Sequence, residues 1–480
     1  MDELKSLIDD IEAFCRQHSI AESTFGRMVV NDGKFVGRLR SGKGVTTKTV
    51  QRVRTYLENA GAEGFAGTPQ NPPIKGRKAK SPRSEGAALM AQRGKTKKTQ
   101  AGSSDKDGEQ AFRFYDNRQK YLMFINTCDE KWVVSERIGL ELSQLHPTPP
   151  ALRVFDAGIG DGTVLTRVMR DMHNRFPTVP FLLVGKEISM EDVRLSLEKM
   201  SDRFYEHPST VLVITNLYYA EAPWLMPSNV NAAAALNWHE VPLSGSSAHE
   251  FDTQIKSLLP ILSDGWQVRA SEKTGNPLYV RPSVLVLYRE DQRFILDPII
   301  PRRGKTEGSY DLVIASQPYR ANMSAEFKAK KVLGPLAKSL APGGRMIGIH
   351  SHGRDPGLEI IQKIWPGREL NQTSRHELIK AIKAEFGTTG RDMRFNTYSD
   401  ARSLFRYDMH TLPSEITSTI GTSTLFGAWN AAIYVYQIED ELIAEAVEDG
   451  EYLKVTQDVL QKHGGLWFIN ESFVVSRKRD

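Results

Sequence analysis

Between residues 154 and 163 the chain reads Val-Phe-Asp-Ala-Gly-Ile-Gly-Asp-Gly-Thr, with Asp156 followed by Gly158, Gly160 and Gly162. Glycines at that spacing let a backbone approach a ligand more closely than any Cβ would tolerate. A dinucleotide fingerprint runs Gly-x-Gly-x-x-Gly to seat a pyrophosphate. Here an acid stands just ahead of the first glycine, where it would repel a pyrophosphate and suit the ammonium of an amino-acid moiety. About thirty residues on, one strand-helix-strand step away, the apolar run from Phe181 ends in Glu187. A carboxylate there can accept both hydroxyls of a ribose. The two acids together point to an adenosyl ligand. Further on, His350 and His352 stand two apart, on one face if the strand before them continues. A histidine at the C-terminal end of such a strand can act as general base for an oxygen or nitrogen nucleophile. Alternatively, the pair could bind a metal with Asp355 or Glu359, or serve only to orient substrate or structure.

These side chains need elements to hold them. Apolar residues from Leu152 to Phe155 read as a buried strand, and Val164, Leu165, Val168, Met169 and Met172 recur at helical spacing after the glycines. The helix start adds free N–H donors beside the ligand. This strand, turn and helix resemble motif I of the class I S-adenosylmethionine methyltransferases. The resemblance implies an α/β fold, a doubly wound, Rossmann-like sheet of seven strands, with S-adenosyl-L-methionine as cofactor. It assigns Asp156 and the three glycines to the methionine end and Glu187 to the ribose. Asn216, at the end of a third strand from Val211, would supply an amide to the adenine. The run from Tyr310 to Tyr319, a helix over 325–340 and a strand after Pro342, Gly343 and Gly344 are similar to that family's fourth and fifth strands. A helix before the first strand commonly lies across the cofactor, making Tyr115, Arg118 and Tyr121 candidates there.

Ser316, Gln317, Pro318 and Tyr319 are compared with the Asp/Asn/Ser-Pro-Pro-Tyr/Phe signature of amine-methylating relatives. Ser316, Pro318 and Tyr319 are in register, but Gln317 replaces the first proline and alters the backbone where a carbonyl must point. Ser316 is placed with the cofactor-facing residues, and Tyr319, His350 and His352 with the catalytic ones. The expected insertion, about 220–309, is far longer than a connection needs. We read it as a substrate cap with a helix over 248–262 and a hairpin of 283–289 with 293–297. Residues 233–241 are an alternative fourth strand. Near the C-terminus, 402–410 and 431–437 read as the closing antiparallel strands, with apolar runs at 466–469 and 473–475 beyond them.

At the N-terminus, Leu4, Leu7, Ile8, Ile11, Phe14 and Cys15 form a helical stripe, and short helices follow to Leu57, the last capped by Thr46 or Thr47. Residues 21–57 resemble the lambda-repressor-like helix-turn-helix family. That implies a small all-α domain over 1–60 that binds DNA through its third helix, with Lys34, Arg38 and Arg40 near bases or phosphates. A helical interaction module is the alternative. Residues 61–108 are rich in Pro, Gly and Ser and read as a disordered linker. Within it, 75–98 carry nine Lys or Arg against Glu85 alone, a local +8 that leaves −3 for the rest of a chain whose net charge is +5. Such a run attracts nucleic acid without regard to sequence. The methyltransferase domain is expected over 109–480.

Two distant cysteines, Cys15 and Cys128, form neither a disulfide framework nor a metal cluster, so a cytoplasmic location is expected. No apolar run is long enough to cross a membrane. The leading expectation is methyl transfer to an acceptor, a small molecule first and nucleic acid second. A DNA-binding regulator that only senses the cofactor is the reading from another class. A homodimer is an open expectation, because helix-turn-helix proteins often pair.

Overall fold

A computed structural model describes residues 2–17, 21–30, 35–41, 49–50, 53–54, 56–57, 118–271, 277–368, 373–410 and 420–479. Lys34, Thr46, Thr47, Tyr115 and the stretch 61–108 lie outside the described residues. The chain divides into two units, Met1–Glu85 and Gly86–Asp480.

In the first unit the helices Asp2–Gln17, Glu22–Val30 and Phe35–Arg40 turn Leu7, Ile11, Phe14, Phe25, Val29, Phe35 and Leu39 into one core. The edge-on ring contact between Phe14 and Phe25, 5.6 Å between centroids, fixes the crossing of the first two helices.

Among its described residues the second unit has twelve strands: β1 (Leu152–Asp156), β2 (Phe181–Lys186), β3 (Thr210–Thr215), β4 (Asn237–Leu243), β5 (Val268–Ala270), β6 (Pro277–Tyr279), β7 (Ser283–Arg289), β8 (Tyr310–Ser316), β9 (Leu340–Ser351), β10 (Met393–Asn396), β11 (Leu404–Asp408) and β12 (Trp467–Arg477). Ten of them form one sheet in the order β10-β12-β9-β8-β1-β2-β3-β7-β4, with β11 also on β12, while β5 and β6 pair separately. The centre, β3-β2-β1-β8-β9, is parallel. Strand β12 runs antiparallel beside β9. Because β1 lies between β2 and β8, chain connections leave it in both directions, the switch point at whose C-terminal end open α/β sheets bind ligands.

Alternating side chains from the central strands feed two cores. Phe155, Val184, Val213 and Val313 point to one face, against Leu333, Leu336 and Ile382. Val154, Leu183, Leu212 and Leu312 point to the other, against Leu165, Val168 and Met172. Each such side chain, fully buried, contributes about 1.5–3 kcal/mol. Together they make the C-terminal edge of the sheet a rigid platform.

Several sequence expectations are corrected. Among the described residues the sheet has ten strands rather than seven. Strand β7 is not half of a hairpin: it lies antiparallel to β3, and 293–297 contributes the helix Arg293–Leu296. All seven residues of β7 are buried, and a strand with two apolar faces must be covered on both, which a solvent-facing hairpin cannot do. Strand β4 extends the sheet beyond β7 at the opposite side from β8, so β8 keeps the place beside β1. The helix expected over 248–262 is two, Ala248–Lys256 and Leu259–Gly265. Residues 431–437 are not a strand, because the helix Thr422–Val435 runs through them. Its residues Leu425, Ala428, Trp429, Ala432, Ile433 and Val435 are buried, and a helix apolar on every side shows no period that separates it from a strand. The two final apolar runs are parts of one strand, β12.

Candidate functional site

At the end of β1 the chain leaves the sheet through the glycine loop and enters the helix Thr163–Arg175. Gly160 and Gly162 take left-handed backbone, with φ of 55° and 78°. A Cβ on Gly162 would lie 2.8 Å from Ser196 Cα, so that glycine serves close packing of two helices. On Gly160 it would meet the Tyr121 hydroxyl at 2.9 Å, whereas at Gly158 it would find nothing within 4 Å. The loop therefore presents Gly158 to open space.

Asp156 is only 3% exposed. Its Oδ1 accepts the Gly158 amide at 3.1 Å. Among the described residues no lysine or arginine makes an ion pair with it. Burial, aided by the nearby Glu187 charge and partly opposed by the Gly158 hydrogen bond and Lys131, pushes this carboxyl up to about 6. An acid in that state gains most from a cationic ligand.

Glu187 follows β2 directly. Its Oε2 accepts the Gly160 amide at 3.0 Å, and its Oε1 accepts the amides of Ile188 and Ser189 at 2.8 and 2.9 Å. Three of its four lone-pair directions are thus used in bracing the loop, and one on Oε2 stays available. The Glu187 carbonyl accepts from Trp266 Nε1 at 2.7 Å, so the inserted segment also pins this corner. Asn216 is placed differently from the expectation of an adenine contact. Its Nδ2 donates to the carbonyls of Gly265 and Arg281 at 2.9 and 2.8 Å, and its Oδ1 accepts from Ser283 N at 2.8 Å. The presence of β7 beside β3 explains this, because the amide ties the two strand ends together.

The helix Arg118–Thr127 brings Tyr121 over the glycine loop. Its hydroxyl donates to Asp161 Oδ1 at 3.2 Å and accepts from Asp161 N at 3.3 Å. Asp161 is held in turn by Lys199, Nζ to Oδ2 at 2.5 Å. Lys131 Nζ lies 5.6 Å from the centre of the Tyr121 ring and 3.3 Å from Glu130 Oε2. Gln317 Nε2 donates to Glu130 Oε1 at 2.7 Å. A continuous set of contacts therefore joins the glycine loop to the turn after β8.

In that turn Gln317 has a φ of 48°, outside the range a proline ring permits. The Gln317 substitution thus goes with a backbone that a Pro-Pro signature cannot adopt. Ser316 closes β8 half-buried. The Pro318 carbonyl accepts from the Tyr219 hydroxyl at 2.7 Å. Tyr319 OH lies 3.3 Å from His350 Nδ1, and His350 Nε2 lies 2.8 Å from Glu471 Oε1. His352 reaches the other carboxylate oxygen, Nδ1 to Oε2 at 3.4 Å. Arg375 donates to the same carboxylate from its backbone N at 2.8 Å and from Nη1 at 2.9 Å. Burial raises the Glu471 carboxyl, but His350 and Arg375 outweigh it and hold it at about 2. Glu471 is thus ionised and accepts from His350 Nε2–H, leaving Nδ1 as the acceptor for the Tyr319 hydroxyl.

The structure therefore brings Tyr319, His350 and His352 together around a carboxylate that sequence reasoning missed. The signal for it was Asn470, Glu471 and Ser472, three polar residues inside an apolar run, all fully buried in β12. Asp355 is turned elsewhere: it caps the helix Pro356–Ile364 and accepts from Tyr436 OH at 2.7 Å. Glu359 pairs with Lys363, Lys462 and His463. Among the described residues no three ligating side chains gather into a metal site.

In the N-terminal unit Arg40 ion-pairs with Glu12 and with Glu22, the latter at 2.6 Å. This ties the third helix to the first two. Arg38 lies on the exposed side of the same helix, while Phe35, Val36 and Leu39 are buried.

No family model matches the chain, and neither does any curated protein. Solved structures to which it is similar include a geranyl diphosphate methyltransferase in complex with GPP and sinefungin, at 12% identity and a TM-score of 0.26, covering 72% of this chain and 78% of that one. PKMT2 from Rickettsia typhi in complex with AdoHcy follows at 13% and 0.23, covering 77% and 55%. MNMC2 from Aquifex aeolicus aligns at 10% and 0.19, covering 72% and 75%. No helix among the described residues is long and apolar enough to cross a membrane.

Proposed function

We propose that the second unit is an S-adenosylmethionine-dependent methyltransferase acting on a small molecule. The observation that carries this is Asp156: a nearly buried carboxylate without a basic ion-pair partner, beside a glycine that faces open space. An amino-acid ammonium would supply the missing charge, and Gly158 leaves room for the chain attached to it. Glu187 keeps one lone-pair direction for a ribose hydroxyl. The bound cofactor supplies an electrophilic methyl group on a sulfonium.

The remaining chemistry falls to this chain's own residues. In this reading Tyr319 accepts a proton from the acceptor's N–H or O–H while its own proton passes to His350 Nδ1, a transfer supported by the 3.3 Å contact between them. Glu471 holds the imidazole in the tautomer that can receive that proton and stabilises the cation that forms. Burial raises the Tyr319 hydroxyl far above its ordinary range, so a standing tyrosinate is disfavoured and the two transfers are coupled. Tyr121 and the helix that carries it exclude water above the loop. The test is transfer of labelled methyl from S-adenosylmethionine to a panel of hydroxyl and amine acceptors. Turnover that falls in His350→Ala with cofactor affinity intact supports an enzyme. Cofactor binding with no transfer to any acceptor favours a sensor.

For the first unit a separate role in binding DNA is proposed, supported by Arg38 on the exposed side of the third helix and by the basic run at 75–98.

A further inference from the structure

Two lysines are buried at the C-terminal edge of this sheet, on the face that carries Tyr319 and His350. Lys328 is 2% exposed, and its Nζ donates to the Ala321 carbonyl at 2.8 Å and to Thr373 Oγ1 at 2.9 Å. Its donors have protein acceptors, and its role is to hold the segment after Tyr319. Lys186 is different. It is the last residue of β2 and only 9% exposed. Among the described residues its ammonium has neither a hydrogen-bond acceptor nor a carboxylate within ion-pair distance. What lies near it is the Tyr219 ring, with Nζ 4.7 Å from the centroid. Tyr219 in turn bonds the Pro318 carbonyl through its hydroxyl, which links the ring beside Lys186 to the turn that leads to Tyr319.

A largely buried lysine whose ammonium faces one aromatic ring recovers less from that contact than the loss of hydration costs. Burial accordingly pushes the Lys186 ammonium below its ordinary range, with only the Glu187 charge opposing. A ligand that brings an oxyanion would satisfy it. Two molecules at this edge can bring one: the cofactor, through the carboxylate beside the ammonium that Asp156 takes, and the methyl acceptor. S-adenosylhomocysteine carries the cofactor's carboxylate without the acceptor, so an affinity for it that falls in the Lys186 variants would give the anion to the cofactor and overturn the acceptor's subsite.

We infer that Lys186 is the anchor of an oxyanion subsite, and that the methyl acceptor carries a carboxylate or phosphate group which Lys186 fixes near the turn at Tyr319. This rests on the proposal that this edge of the sheet is the methyl-transfer site. Lys186 is a positioning residue in that scheme, holding the far end of the acceptor while Tyr319 meets its nucleophile.

The experiment is calorimetric titration of inorganic phosphate and, separately, acetate into the full chain as wild type, Lys186→Met, Lys186→Gln and Lys186→Arg. S-adenosylhomocysteine is titrated into the same four proteins. At least one of the two anions is expected to bind wild type, to weaken about tenfold or more in both neutral variants, and to be retained by Lys186→Arg. S-adenosylhomocysteine affinity should stay within about twofold across the set. Phosphate binding alone identifies a phosphate ester, acetate binding alone a carboxylate. Anion binding by wild type that persists unchanged in the neutral variants belongs elsewhere on the chain and overturns the subsite, as does the absence of both anions from wild type. Should Lys186→Met fail to fold, Lys186→Gln decides the same question. Failure of S-adenosylhomocysteine to bind wild type, with Lys186-dependent anion binding intact, would instead sink the methyltransferase reading and leave an anion site standing.

Discussion

Glu471 Oε1 sits 2.8 Å from His350 Nε2, and the same side chain takes two hydrogen bonds from Arg375. A residue near the end of the chain thereby sets the tautomer of a histidine 121 positions earlier in sequence. Replacement by glutamine keeps the shape but removes the charge that stabilises an imidazolium. We expect Glu471→Gln to lower turnover by about 100-fold or more, the usual range for general-base assistance, with S-adenosylhomocysteine affinity unchanged. Equal loss of cofactor binding and turnover would mean the residue is only structural.

Glu471 also predicts a response to acid. Its carboxyl stands at about 2, below an ordinary value of 4.5. A depressed folded-state value contributes stability that is fully present above the ordinary value and is lost as pH falls through about 2. Urea unfolding of wild type between pH 5 and 2 should therefore show a steeper loss of stability than the Glu471→Gln variant. Parallel curves would contradict the ion-pair account.

A second pH response belongs to His207. Its ring stacks on Phe181 at 3.7 Å, its Nε2 reaches the Val179 carbonyl at 3.0 Å and its Nδ1 reaches His173 Nδ1 at 2.9 Å. Burial, more than the neighbouring His173, lowers its readiness to protonate below the ordinary 6.5. Stability from the neutral ring is complete above about 6.5 and declines as pH falls below it. A His207→Gln variant should flatten thermal stability between pH 7 and 5. A profile as steep as wild type would place the dependence elsewhere.

The glycine loop separates packing from binding. Gly162→Ala forces a Cβ into Ser196 at a φ of 78°, and should cost about 1–3 kcal/mol. Gly158→Ala meets no protein atom and should fold with an unchanged melting temperature while weakening cofactor binding by about tenfold. A Gly158→Ala protein that binds as wild type would mean the ligand does not approach that side of the loop.

Much of the site's frame was legible because it is local. Asp156, the glycines and Glu187 sit at fixed offsets from strand ends, and the strand order around β1 follows from alternating strand and helix patterns. Gln317 was recognised as a departure, and its φ of 48° gives that departure a backbone. What stayed hidden depends on distant pairing. Asn216 was read as a ligand contact because nothing local says that β7 will lie beside β3 and take up its amide. Glu471 was overlooked because its partners come from β9 and from Arg375. Residues 431–437 read as a strand because a short apolar run carries no period of its own.

On the proposed reading Asp156 is the anion that takes the amino-acid ammonium of S-adenosylmethionine. Calorimetric titration of S-adenosylmethionine and S-adenosylhomocysteine into wild type and Asp156→Ala, repeated across pH 5 to 8, tests it most directly. The account predicts binding to wild type that strengthens as pH rises through about 6, because the carboxylate is the form that binds. It also predicts a loss of about 100-fold or more in the variant. No binding to a well-folded wild type, or equal affinity in Asp156→Ala, would contradict it.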